Sequence, residues 1–424
     1  MPRPDFDVIV AGAGPAGSMA ARTAAALGLR TALVEDHDQP GLPAHCSGKL
    51  QVHAFREFDL PASLVLNTLR AGAFYSPGGS VFRVRRDEAD SHVVDRVTFD
   101  RWLAEAAERC GATVMLNTRL RRAERVNGLI RVTGTSRGRS LTATARVLID
   151  AEGARPVLPR ALGLRIPRAY VYGLQYQMAG VDLDAPDMPE IYLGSASAPG
   201  FFGWIMPIGP DRARAGVCVD PRLTTQSPIF YLERLMREHP VASRRLRRAV
   251  IERRLAGPIP VLGARRPTVA PGLLVAGDAA GQVKATSGGG IYFSLISGRL
   301  AAETAHAYVG GDRQALARYE DAWRRRFGRE LYVTAFARLA MNHMSDAEVD
   351  TFVAAVAEDG DLRRTIEERG DTAFQSKLLA PVLLRALRWS LVRPVGFAML
   401  RALRHGIVAL WDGGASAARA AATH

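Results

Sequence analysis

Three groups of residues in this chain have types and spacings that can do chemistry. Gly12-x-Gly14-x-x-Gly17 is followed, at the distance of about 20 residues that such motifs use, by Glu35. In that pattern Gly12 permits a tight turn, Gly14 lets backbone approach a pyrophosphate, Gly17 lets a helix pack on a strand, and Glu35 can accept hydrogen bonds from a ribose hydroxyl. A carboxylate at Glu35 would repel a 2′-phosphate, so the expected dinucleotide is FAD or NAD rather than NADP. The second group is Cys46-Ser47-Gly48, flanked by His45 and Lys49. A thiol of ordinary pKa, ~8.5, is mostly protonated at neutral pH and can donate a proton. The third is spread over Asp150-Ala-Glu-Gly153, Gly277-Asp278 and the triple glycine Gly288 to Gly290. There Asp278 can reach ribitol hydroxyls, and the glycines allow backbone to lie against a flat ring or a phosphate.

The elements that must position these groups are legible in the patterning. "DFDVIVAGAGPAGSMAARTAAALGLRTALVED" reads as buried strand, glycine turn, strong helix former and second strand. Free amides at that helix's N-terminus, with the positive end of its dipole, suit phosphates. "ARVLIDAEGARP" is a buried strand running into Asp150, and "PGLLVAGDAAGQVKATSGGGIYFSLISGRLAAE" is a strand, a small-residue turn and a second helix. An NAD site needs no such distant second element, which favours FAD.

At 424 residues, two or three units with large cores are expected, since a usual domain has ~100–200 residues. The 56 Lys and Arg against 42 Asp and Glu give a net charge of +14, which favours an anionic partner. No helix-turn-helix, zinc-finger or RNP-like pattern accompanies that charge, so nucleic acid is excluded as its explanation. The three cysteines, Cys46, Cys110 and Cys218, form no CxxC pair, so no disulfide framework and no metal site are expected, and a reducing, cytoplasmic compartment fits. Cys110 and Cys218 read as core residues.

Gly12 to Gly17, Glu35, Asp150 to Gly153 and Gly277-Asp278 resemble the FAD signatures of the flavoprotein superfamily that contains the aromatic hydroxylases. Cys46-Ser47-Gly48, "VDRVTFDRWLAEAAERCGA", "GWIMP" and "GDAAGQVKATSGGGIY" are similar to stretches of the geranylgeranyl reductase family. Two departures stand out. Ser47 occupies a position where the family usually has a second glycine, and Phe202-Gly-Trp204-Ile-Met206-Pro207-Ile208 replaces the family's Tyr-x-Trp-x-Phe-Pro-Lys.

The resemblance implies an α/β architecture: a Rossmann-like FAD-binding domain of the glutathione-reductase type, an antiparallel-sheet substrate domain and a C-terminal helical region. The expected bounds are 1–70, 95–160 and 265–320 for the first, 71–94 and 161–264 for the second, and 321–424 for the third. It implies an FAD-dependent reductase that saturates double bonds of geranylgeranyl chains on lipids or isoprenoid diphosphates. The alternative is a flavin monooxygenase or halogenase acting on an aromatic or polyketide substrate, and a non-enzymatic flavin-bound membrane scaffold is a third reading.

Cys46 would sit at the flavin as the proton donor, with Gly12, Gly14, Ala16, Gly17, Glu35, Ser47, Lys49, Arg96, Leu120, Asp278, Gly289, Gly290 and Ile291 holding the cofactor. Within that set Arg96 would stabilise the anionic reduced ring and Leu120 would touch the adenine side. Phe202, Trp204, Pro207 and Tyr292 would line the substrate chain, because aromatic walls suit a polyprenyl group whose burial yields ~0.8 kcal/mol per methylene. An external electron donor is required, and NADPH, a ferredoxin and a deazaflavin carrier all remain open.

From Thr372 to Trp411 there are six basic residues (Lys377, Arg385, Arg388, Arg393, Arg401 and Arg404) and no acid, among amphipathic leucine stripes. This reads either as a peripheral attachment to an anionic membrane surface or as a helical cap with a solvated arginine face.

Overall fold

The computed structural model describes residues 3–164, 169–261 and 267–378. The chain forms two compact units, and each is built from discontinuous segments. The first comprises residues 1–68, 91–171 and 257–332, and the second residues 69–90, 172–256 and the chain from Val333 on.

The first unit is organised by a sheet whose strand order is Val269–Ala270, Leu273–Val275, Arg139–Asp150, Phe6–Ala11, Thr31–Val34, Thr113–Met115. All but the first pairing are parallel. Phe6–Ala11, Thr31–Val34, Leu273–Val275 and the last four residues of Arg139–Asp150 are largely buried, as strands of a parallel sheet covered by helices are. Ala11 is in register with both Asp150 and Val34, and Asp150 with Val275. Four strands therefore end level, and the turns leaving them carry Gly12, Glu35, Ala151 and Gly277. In doubly wound sheets ligands bind at this edge. Thr118–Val126 and Leu129–Ser136 extend the sheet as antiparallel hairpins.

Two helices pack against the sheet and each other, Pro15–Ala26 and Ile291–Val309. Where they cross, a Cβ on Gly298 would lie 2.1 Å from the Ala16 carbonyl oxygen, and one on Gly277 would lie 2.8 Å from the Ala16 Cβ. Only small residues allow backbones this close.

The second unit holds a seven-stranded sheet in the order Val250–Pro260, Tyr170–Ala179, Arg212–Val219, Gly203–Pro207, Glu190–Tyr192, Ala71–Tyr75, Val81–Arg85. From Tyr170–Ala179 to Val81–Arg85 the pairings are antiparallel except that of Glu190–Tyr192 with Ala71–Tyr75, which is parallel. One face buries Tyr176, Tyr192, Ile205, Ala215 and Val217 against the helix Pro228–Glu238. On the opposite face, helix Asp346–Glu358 packs Val349, Val353 and Val356 against Phe74 and Phe82. The helices after Val333 belong to this unit rather than to a third one. The basic stretch from Arg385 to Arg404 lies outside the described residues. No helix among the described residues is long and apolar enough to cross a membrane.

Candidate functional site

The glycine turn fills its three roles with separable geometry. Gly12 has φ +96°, and a Cβ there would lie 2.3 Å from the Ala151 carbonyl oxygen, while one on Gly17 would lie 1.8 Å from that of Gly12. Gly14 has nothing within 4 Å of its missing Cβ, so this position faces open space. It N-caps the helix that starts at Pro15, which no side chain caps. The first-turn amides, which no intrahelical carbonyl can satisfy, are thus directed at that space. Ser18 donates its hydroxyl hydrogen to the Ala13 carbonyl at 2.9 Å and holds the turn from inside.

Glu35 closes the turn from the next strand. Its Oε2 accepts the Ala13 N–H at 2.8 Å, and its Oε1 lies 2.6 Å from His37 Nδ1. Burial pushes this carboxyl up, against the opposing pull of the Ala13 amide.

The segment after Leu273–Val275 supplies the other side. Ala276 donates its N–H to the Asp150 carbonyl at 2.9 Å, and Gly277 donates to Gln282 Oε1 at 2.7 Å. Asp278 is recessed yet reachable by solvent, and desolvation raises its carboxyl while Arg96 and His45 pull it down. Gly290 caps the helix that begins with Ile291, and a Cβ on it would meet Asp278 Oδ1 at 3.1 Å. Lys284 is 4% exposed beneath Gly289, whose Cβ would meet Lys284 Cε at 3.1 Å. The glycines are therefore what allow the backbone to fold over Asp278 and Lys284.

The cysteine loop is anchored at several points. A Cβ on Gly41 would lie 2.6 Å from the Arg96 carbonyl oxygen, and the His45 ring packs 3.1–3.2 Å from where a Gly257 Cβ would stand. His45 Nδ1 is 2.7 Å from the Pro43 carbonyl, and Gly48, at φ +84°, donates its N–H to Cys46 Sγ at 3.4 Å. Cys46 is half-buried. Ser47 lies in the turn beside it, and Lys49 begins the short strand Lys49–Gln51, opposite Val93.

Arg96 opens the helix Arg96–Arg109 behind an Asp95 cap and grips Asp100 at 3.0 Å (Nε to Oδ1) and 2.7 Å (Nη2 to Oδ2). Its charge also acts on the Cys46 sulfur. Burial alone would lower the guanidinium's pKa, but Asp100 and Cys46 outweigh it and keep the group firmly charged. Asp100 is pushed up by burial and held down by Arg96 and then His45. His45, Cys46, Arg96, Asp100 and Asp278 thus form one electrostatic cluster.

The remaining expected site residues have these surroundings. The Leu120 side chain is 6% exposed and packs into a core with Ile9, Val34 and Ile130, leaving only its backbone for a ligand. Tyr292, expected to line the substrate, donates its hydroxyl hydrogen to Glu57 Oε2 at 2.6 Å, in a network with Arg299 and Arg326. Ala16 is buried at the helix crossing. Phe202, Trp204 and Pro207 belong to the second unit. Phe201 stacks on Phe202 at 4.5 Å, Phe202 meets Trp204 edge-on at 6.0 Å, and the buried Pro207 pairs with Ala213. The Trp204 Nε1 is buried without a hydrogen-bond partner.

Cys218 is buried as expected, but Cys110 is a correction. It is exposed because it C-caps the helix after Arg109, beyond the turn that faces the sheet. Asp100, Lys284 and Glu57 were not singled out from the sequence, although the i,i+4 spacing of Arg96 and Asp100 carried the signal for the first.

These residues fit FAD. The open space at Gly14, the uncapped helix start and the buried Asp150, whose oxygens lack hydrogen-bond partners, suit a ligand with a pyrophosphate and hydroxyls. Burial and the nearby Glu152 push the Asp150 carboxyl well up.

Known proteins agree. The family model described as FAD dependent oxidoreductase matches residues 7–161, and the one described as geranylgeranyl reductase catalytic domain matches 170–257. A digeranylgeranylglycerophospholipid reductase of Methanocaldococcus jannaschii is 33% identical over 85% of this chain and 94% of its own length. One from Methanopyrus kandleri is 31% identical over 85% and 92%. The crystal structure of a geranylgeranyl bacteriochlorophyll reductase-like protein from Thermoplasma acidophilum superposes with TM-score 0.80 at 27% identity, covering 90% of this chain and 98% of that one. A flavin-dependent brominase, 18% identical with TM-score 0.68 over 90% of this chain and 97% of its own, shares the fold alone. The cradle, the cysteine cluster and these likenesses converge: the chain belongs to the geranylgeranyl reductase family, as an FAD-dependent oxidoreductase acting on the carbon–carbon double bonds of geranylgeranyl groups.

Proposed function

We propose that the geranylgeranyl chains reduced by this enzyme are carried on a glycerophospholipid, and that Cys46 delivers the proton that completes each reduction. The curated relatives' names support the first part. The second is carried by one observation, the cysteine turn in which Gly48 donates its N–H to Cys46 Sγ at 3.4 Å, within the electrostatic reach of an arginine itself clamped on a buried carboxylate.

Saturating an isolated alkene needs a hydride on one carbon and a proton on the other, and bound FAD supplies the former. The chain's own residues do the rest. Cys46 holds a transferable proton on a turn fixed by Gly41 and Gly48. Arg96 orients the sulfur, and Asp100 keeps Arg96 in place. His45 flanks the thiol and is suited to replenish it from solvent. Phe202 and Trp204 are proposed to contact the prenyl chain, as apolar rings that exclude water. The electrons come from an external donor. No second GxGxxG follows the first, so a nicotinamide would bind transiently, and a ferredoxin or a deazaflavin carrier serves equally well.

Anaerobic incubation of chemically reduced holoenzyme with a digeranylgeranylglycerophospholipid tests the proposal by mass spectrometry. Each saturated bond adds the mass of two hydrogens. Reduction of free geranylgeranyl diphosphate with none of the phospholipid would overturn the assignment of the carrier.

A further inference from the structure

We infer that residues 221–231 form the surface by which this chain docks onto an anionic lipid bilayer, an inference that rests on the substrate being a phospholipid. The segment follows the strand Arg212–Val219 and leads into the helix Pro228–Glu238. It is held as a fixed turn. Arg222 grips Asp220 at 2.9 and 2.6 Å, and the buried Arg338 reaches the same carboxylate at 3.1 Å. Leu223 donates its N–H to the Asp220 carbonyl at 3.0 Å, and the Thr224 hydroxyl pairs with that of Tyr231 at 2.8 Å, which brings the residues around 224 and 231 together.

On this fixed base three large apolar side chains stand in solvent: Leu223 at 50% exposure, Ile229 at 43% and Phe230 at 44%. The helix has no need of them for its own packing, because Tyr231, Leu232 and Leu235 already fill its inner face. A rigid apolar projection is the feature that inserts into the headgroup boundary of a membrane at little cost in entropy.

The charge of the whole chain, +14, favours approach to an anionic surface. Within the patch no Asp or Glu occurs from 221 to 232, and Arg222 is neutralised by Asp220, so the apolar side chains meet the headgroups without a repelling acid among them. The patch also runs into the aromatic series of the second unit: a Cβ on Gly200 would meet Leu223 Cδ1 at 2.9 Å, and Phe201 and Phe202 follow directly. A lipid whose long prenyl chains hold it in the bilayer, at ~0.8 kcal/mol per buried methylene, must be met there by its enzyme.

The test is flotation of the full-length holoenzyme with vesicles of phosphatidylglycerol and phosphatidylcholine, free of prenyl lipid. The triple variant Leu223→Ser, Ile229→Ser, Phe230→Ser is expected to cut the bound fraction roughly tenfold. FAD content and turnover of detergent-dispersed substrate should stay unchanged. Phe230→Trp, which keeps the fold, should show a blue-shifted emission on anionic vesicles. Equal flotation of wild type and triple variant would overturn the inference. So would loss of binding only when Arg385, Arg388, Arg393, Arg401 and Arg404 become Gln, which assigns the membrane contact to that segment. A wild-type dimer that the triple variant dissolves would make the occupant a second copy and overturn it too. Because vesicle binding is read without substrate, an enzyme that floats but leaves the phospholipid unreduced would sink the substrate reading alone.

Discussion

Arg96 and Asp100 hold each other by two hydrogen bonds across one helical turn, and the charge of the same guanidinium acts on the sulfur of Cys46. Asp100 is 2% exposed. Removing one partner of a buried pair leaves the other charge stranded, a loss of about 3–5 kcal/mol. Asp100→Asn is expected to lower stability by roughly 3 kcal/mol in urea unfolding. In the surviving folded fraction it should slow alkene reduction more than it weakens FAD binding, since the sulfur loses its orientation while the glycine cradle does not change. Equal losses in rate and FAD affinity would give Asp100 a structural role only.

Cys46→Ala should keep FAD and lose most alkene reduction, with Cys46→Ser recovering part of it, because a hydroxyl is a weaker acid in the same place. The exposed Cys110→Ser is the control and should change neither. Single-turnover mass spectrometry of the lipid reads both, and an unchanged rate in Cys46→Ala would leave the thiol as packing.

The two outer glycines and the middle one should fail differently. Gly14 has φ −73°, which any residue adopts, and open space at its Cβ. Gly14→Ala is therefore expected to leave apoprotein stability within about 0.5 kcal/mol while the methyl group crowds the phosphate and weakens FAD binding. Gly17→Ala drives a methyl into the Gly12 carbonyl and should prevent folding. Thermal melts with and without FAD, beside flavin absorbance, separate the two.

Glu57 gives a pH signature. Burial alone would raise its pKa, but hydrogen bonds from Tyr292 and Arg299 and the charge of Arg326 hold it below the usual 4.5. A carboxyl depressed in the folded state stabilises fully above its unfolded pKa, and that contribution is lost as pH falls through the folded value. Wild type should therefore lose stability below about pH 4.5 more steeply than Glu57→Gln. Parallel slopes in urea titrations across that range would refute the network's role.

Much of the nucleotide cradle was legible because its parts are local. Gly12, Gly14, Gly17 and Glu35 fall within a single strand–helix–strand unit, and backbone sterics dictate each glycine. Asp278 and Gly290 were legible as a strand-end acid and a helix-start glycine, although only the register of Asp150 with Val275 brings that acid level with the first turn. Partnerships made by tertiary packing were not. Tyr292 and Glu57 are 235 positions apart, and nothing in either local pattern announces the hydrogen bond that turns the tyrosine toward the acid. Cys110 sits one residue past its helix, where periodicity no longer tells inside from outside.

The abutment of Gly298 on the Ala16 carbonyl gives the molecule an unexpected point of vulnerability. Both helices that begin at the cradle are seated on one glycine-wide gap, more than ten ångströms of helix below the second one's start. A single methyl there would pry the two starts apart together, so a lesion at a side-chain-less position that faces no ligand would present as a failure to retain the yellow chromophore.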